Sequence, residues 1–75
     1  MPNFNKLKTE IVKIGESGLI EVSLTQMTDG VKTVDFVSID RSYMDSLGVS
    51  KRKSQTTIPR AQAIEVANAI NKVMQ

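Results

Sequence analysis

The chain has 75 residues, carries ten basic and eight acidic side chains for a net charge of +2, and contains neither cysteine nor histidine. That length holds one domain at most, and the missing residue types exclude disulfide stapling, thiolate catalysis, zinc ribbons and the commonest general base. Hydrophobic residues at 40% and charged residues at 24% give a globular balance, and no apolar run approaches the ~20 residues of a membrane span.

The first five residues, Met-Pro-Asn-Phe-Asn, show no basic stretch followed by an apolar one, so no signal peptide is expected and an intracellular chain is. They read as a frayed terminus in which Phe4 has no role. The first strand is expected from Lys6 to Ile14, with Val12 and Ile14 on one face and Lys13 on the other. Ile11 breaks strict alternation, so both faces carry apolar residues. Gly15-Glu16-Ser17-Gly18 is a turn. The second strand, Leu19 to Met27, has the clearest period of two: Ile20, Val22 and Leu24 alternate with Glu21, Ser23 and Thr25. Thr28-Asp29-Gly30 signals a hairpin.

The third strand is expected from Val31 to about Tyr43. Val37 and Ile39 share one parity, while Val34 and Phe36 take the other, a phase change that a β-bulge near Phe36 would produce. Phe36 itself reads as core. Residues 44–55 are polar and read as a loop carrying the run Lys51-Arg52-Lys53. Thr56-Thr57-Ile58 makes a short fourth strand at the edge, ended by Pro59.

From Arg60 the period changes to about 3.6, with Ala63, Val66, Ala67, Ile70, Val73 and Met74 in one apolar stripe that Ile64 widens. Thr57 is the candidate for the capping region, and Pro59 suits a helix start. The expected architecture is therefore α+β over residues 1–75: a four-stranded antiparallel sheet followed by one C-terminal helix. One helix covers one sheet face, which leaves the face carrying Ser23, Thr25 and Lys13 open to solvent or a ligand. So small a scaffold without disulfide or metal tends to borrow core from a second copy. A homodimer through Ile64, Val66, Ala67, Ile70, Val73 and Met74 is expected.

Charge is distributed unevenly. Residues 14–40 sum to −4 and residues 41–60 to +4, the latter from Arg41, Lys51, Arg52, Lys53 and Arg60 against Asp45. A basic concentration within a near-neutral chain suggests a local anionic partner. Tyr43 lies between Arg41 and the basic run, where it either stacks on an unpaired base or closes the end of the core. The acids are scattered singly, and Gly15 and Gly18 lack the lysine of a phosphate loop. The chain reads as non-enzymatic, with no cofactor and no metal.

From Ile14 to Ile70 the sequence resembles the transcriptional positive cofactor 4 family of single-stranded-DNA-binding coactivators. The resemblance is carried by Arg41-Ser42-Tyr43-Met44-Asp45-Ser46-Leu47-Gly48-Val49-Ser50-Lys51-Arg52-Lys53, then Thr57-Ile58-Pro59 and the helix positions Val66 and Ile70. The chain departs from that family in having tyrosine at position 43 in place of tryptophan and Ser54-Gln55 in place of a glycine. Its connection around Met27 to Thr33 is longer, and no serine-rich regulatory tail is present. The resemblance implies a whirly-like fold, a homodimer whose helices meet, and sheet faces that hold single-stranded DNA. On it, Arg41, Lys51, Arg52 and Lys53 meet phosphates, Tyr43 stacks, and Lys13 and Lys32 extend the track. It further implies a stand-alone bacterial or viral protein working with replication, recombination or transcription proteins. A reading from another class is a protein-interaction adaptor that uses the open sheet face or an edge strand.

Overall fold

The computed structural model describes residues 2–75. Strands β1 (Asn3–Ile14), β2 (Gly18–Asp29), β3 (Lys32–Met44) and β4 (Ser50–Pro59) precede one helix, α1 (Arg60–Met74). The strands form a single antiparallel sheet in the order β1-β2-β3-β4. This is the α+β layout expected from the alternation of the strands and the 3.6-residue period of the C-terminal segment.

Short turns fix the register. Gly30 takes φ 63° at the tip between β2 and β3, a left-handed angle that glycine adopts without a Cβ penalty. The extended stretch from Met27 to Thr33 is thus a longer hairpin, with Asp29 opposite Lys32. Gly18 serves a different need: a Cβ there would stand 2.9 Å from the Ile14 carbonyl oxygen, too close for any side chain.

Several expected boundaries move. Asn3, Phe4 and Asn5, read as frayed, pair with Thr28, Met27 and Gln26 as the start of β1. The expected bulge near Phe36 is absent, because β2 and β3 pair without interruption from Gly18↔Tyr43 to Asp29↔Lys32. Val34 and Phe36 simply face the other side from Asp35, Val37 and Ile39. The real irregularities lie between Lys6 and Lys8 in β1, and between Arg41 and Ser42 where β3 meets β4.

The largest correction concerns residues 44–55. Only Asp45 to Val49 form a connection, and Ser50 already pairs with Met44, so Lys51, Arg52 and Lys53 lie in a strand. Polarity misleads here because β4 is an edge strand, where charged side chains are tolerated and discourage edge-to-edge pairing. Thr57 does not cap the helix. Pro59 is the N-cap residue, no side chain caps the first turn, and Arg60 Nη1 reaches Asp35 Oδ2 at 2.9 Å instead.

Cross-strand partners share a face. One face carries Val12 and Ile14 of β1, Ile20, Val22 and Leu24 of β2, Val37 and Ile39 of β3, and Ile58 of β4. The other carries Thr9, Ser23, Thr25, Ser38 and Thr57. Among the described residues no apolar side chain is buried, whereas Ser23, Thr25 and Ser38 are 2%, 5% and 7% exposed. The hydroxyl-lined side is the concave one in that both polar grooves of the sheet lie on it, while the apolar side stays open. Helix α1 contacts chiefly β3 and β4 and holds no buried residue, with Ala63 half-buried near its base. A single chain therefore leaves Ile20, Val22, Leu24, Val37 and Ile39 only half-covered.

Candidate nucleic-acid interface

The concave face is ordered as successive cross-strand rows, about 7 Å apart because alternate residues of a strand are two ~3.3 Å rises apart. Its first row is Phe4, Met27 and Val34. The second is Lys6, Thr25, Phe36 and Pro59, and the third is Thr9, Ser23, Ser38 and Thr57. The fourth is Ile11, Glu21, Asp40 and Gln55, and the fifth is Lys13, Leu19, Ser42 and Arg52. Phe4 and Phe36 meet edge to face, with ring centroids 6.3 Å apart and planes at 78°. Sequence reading gave these two rings no site role. The signal that places them together is their parity once Asn3–Asn5 are recognised as strand.

A groove of about 510 Å³ runs from this aromatic pair over Thr25, Ser38 and Thr57 to Asp40, Arg52 and Gln55. A second, of about 370 Å³, continues past Glu21, Asp40 and Arg52 to Ile11, Leu19, Ser42 and Ser50. Both lie on one face, and together they form a trough along the strands.

The trough floor is nearly neutral because its charges are paired. Lys6 Nζ donates to Glu21 Oε2 at 3.1 Å. Arg52 Nη2 stands 3.8 Å from Asp40 Oδ2, and its Nη1 donates to Gln55 Oε1 at 3.2 Å. Thr9 and Ser23 share a hydroxyl hydrogen bond at 3.3 Å. Two buried floor atoms have no hydrogen-bond partner among the described residues: Thr25 Oγ1 and Asp40 Oδ1. A buried polar atom left unpartnered costs about 1–3 kcal/mol.

The connection before β4 is organised by Asp45. Its Oδ1 accepts from the backbone N–H groups of Leu47 and Val49, both at 2.9 Å, and Gly48 turns with φ 80°. Its Oδ2 lies 3.5 Å from Lys51 Nζ. The Val49 N–H does most to hold the Asp45 carboxyl below its ordinary 3.8; partial desolvation opposes it, and the Leu47 N–H and Lys51 add to it.

The candidate site residues from the sequence divide between two faces. Arg52 lines the trough, Lys13 sits at its β1 edge opposite Leu19, and Lys32 stands on the same face at the far hairpin. Arg41 and Tyr43 pair with Ile20 and Gly18 and so belong to the apolar face, as does Lys51 opposite Tyr43. Lys53 is the extra residue of the bulge beside Arg41 and Ser42. Tyr43 is 40% exposed, so it does not close a core, and it is not beside the Phe4–Phe36 pair. Among the described residues Lys13, Lys32, Arg41 and Lys53 make no ion pair.

On α1, Val66, Ala69, Ile70, Val73 and Met74 line one apolar patch. Ala69 was missing from the expected stripe, and Ala67 does not line the patch. Ile64 is 62% exposed on the same helix. Among the described residues no helix is long and apolar enough to cross a membrane. Comparisons with protein-family models, with curated proteins and with solved structures find no match to the chain.

Proposed function

We propose that the chain is a homodimeric, non-enzymatic single-stranded-DNA-binding protein of the positive cofactor 4 type, serving replication, recombination or transcription. The observation that carries this reading is the concave trough. It has an aromatic pair at one end, hydroxyl rows along its floor and paired charges, and it lies on the face opposite the apolar one. Unpaired bases have apolar faces and polar edges, which suits such a floor. Phosphates stay at the rim, within reach of the unpaired Lys13, Lys32 and Lys53. Arg52, held by Asp40 and Gln55, reaches them from the floor. A duplex presents phosphates outward and bases inward, and a trough with a neutral floor has little to offer it.

The apolar face supports the dimer. A chain with no buried apolar side chain among the described residues and an exposed helical patch gains its core by adding a second copy through α1. Arg41 and Tyr43, on that same face, then lie nearer the dimer contact than the strand path.

Competition between labelled single-stranded and unlabelled duplex DNA of equal length tests the reading. The expected result is that duplex competes poorly. Equal displacement by duplex, or no binding of any oligonucleotide, overturns it.

A further inference from the structure

We infer that the apolar face of the sheet is the seat for α1 of a second copy, so that each protomer's helix lies across its partner's sheet. The inference rests on the proposed homodimer and deepens it, since a contact between the two helices alone leaves that face bare.

The accessible surface sets the scale. A compact monomer of 8.3 kDa exposes about 4,600 Å², whereas this chain exposes 6145 Å². The excess is roughly 1,500 Å² per chain, or roughly 3,000 Å² in a two-fold pair, within the range of about 2,000–5,000 Å² buried by obligate homodimers. The helical patch cannot supply it. Full burial of an aliphatic side chain removes roughly 60–120 Å² from water, so Val66, Ala69, Ile70, Val73 and Met74 together supply about 600 Å² at most. The other large apolar surface is the sheet face, where Ile20, Val22, Leu24, Val37 and Ile39 are half-covered. The chain is a plate of 44 × 37 × 17 Å, with that face spread across it.

The chain's own helix is not the occupant. α1 starts at Arg60 directly after β4 ends at Pro59, with no linker to turn it back. Arg60 Nη1 is tied to Asp35 Oδ2 at 2.9 Å, and Gln26 Nε2 donates to Asp35 Oδ1 at 3.3 Å, which fixes the helix base at one end of the sheet. Ala63 is half-buried there. Beyond it exposure climbs from 37% at Val66 through 56% at Ile70 to 83% at Val73, so the helix leaves its own sheet. Its apolar stripe and the apolar sheet face are thus two uncovered surfaces that one chain cannot bring together. They match in length: Val66 to Met74 spans about 12 Å at ~1.5 Å per helical residue, and Ile20 to Leu24 spans about 13 Å at ~3.3 Å per strand residue. A two-fold axis makes the exchange reciprocal and covers both stripes and both faces at once.

The chain has no cysteine, so introduced thiols report contacts cleanly. An Ile39→Cys chain and a tagged Ile70→Cys chain, allowed to exchange subunits and treated with a bismaleimide, should give chiefly the product joining position 39 to position 70. Like-to-like products in the majority overturn the inference and leave a dimer of another geometry standing. No product from chains that sediment as dimers overturns it equally, and a wild-type monomer at micromolar concentration overturns the inference and the dimer together. Val22→Thr gives a second readout, because threonine suits a strand but carries a hydroxyl into each of the two seats. The dimer dissociation constant should rise about tenfold or more, counted over both seats. A constant unchanged by Val22→Thr would show that the sheet face is not covered. Single-strand binding is decided separately by the competition assay.

Discussion

Ile70→Glu tests the assembly on which the rest depends. Ile70 sits in the middle of the apolar patch of α1 and is 56% exposed in the single chain. Full burial of such a side chain contributes about 1.5–3 kcal/mol, so its exposed half contributes roughly 1–1.5 kcal/mol on each protomer. A two-fold contact uses the residue twice. Glutamate removes that gain and leaves an uncompensated buried charge, at about 3–5 kcal/mol. Together these amount to roughly 5 kcal/mol or more, which raises the dimer dissociation constant by at least about three orders of magnitude. Glutamate is a good helix former, so α1 itself is not the target. Sedimentation velocity should show a wild-type dimer at micromolar concentration and a monomeric or unfolded variant, with circular dichroism distinguishing the two. Val73→Glu, at a position 83% exposed in the single chain, should behave alike. A wild-type monomer at micromolar concentration, or a variant that stays dimeric, refutes the reasoning.

The basic run divides by ion pairing. Lys53→Ala should lower the slope of log affinity against log salt by about 0.7 for the single-strand phosphate contact it removes, and Lys51→Ala should leave it nearly unchanged. Equal effects in a salt titration would contradict the placement of Lys51 against Asp45. Asp45 supplies a pH test. Its folded carboxyl titrates below its ordinary 3.8, so its contribution to stability is present above that value and is lost as pH falls through the lowered one. Asp45→Asn should therefore melt earlier than wild type near neutral pH, and the two melting temperatures should converge in acid. A gap that persists at the lowest pH would show that the carboxylate charge is not what orders the turn.

The fold was legible where periodicity was strong. Ile20, Val22 and Leu24 against Glu21, Ser23 and Thr25 placed β2 and its two faces, and the helix start at Arg60 followed from Pro59 and the change of period. The strand beginning at Ser50 was not legible, since Ser50-Lys51-Arg52-Lys53-Ser54-Gln55 has the composition of a loop and becomes β-structure only through pairing with β3. Tertiary context decides such segments, because strand preference measures fit to a pleated neighbour more than an intrinsic tendency. The site was legible in part. Ser23, Thr25 and Lys13 share one face, as their parity predicts, but Ser23 and Thr25 are buried on it and it is the apolar face that stays open. Phe4 and Phe36 were missed because a residue near a terminus and a lone aromatic in a strand carry no local mark of meeting. Asp40 was missed because its place on the trough floor beside Arg52 is a property of packing and not of sequence.

The inverted burial links the two faces. In most small domains the apolar face is closed by the chain itself and the polar face is solvated. Here the hydroxyl-lined face buries Ser23, Thr25 and Ser38, and the apolar face stays half-covered. Two of these shielded residues, Thr25 and Ser38, also line the trough. The irregularity at Lys6/Lys8 in β1 and the bulge at Arg41/Ser42 add local bends to the sheet, since an extra residue in one strand kinks it and increases its twist. The second bulge also interrupts the alternation of the basic run: Arg52 shares the concave face with Ser42, and Lys51 shares the other with Tyr43. Arg52 is thereby placed in the trough and Lys51 beside the Asp45 turn. Deleting Lys53 would remove the bulge and leave Arg52 opposite Ser42 and Lys51 opposite Tyr43, so the run would keep its division between the faces while losing the local kink and added twist.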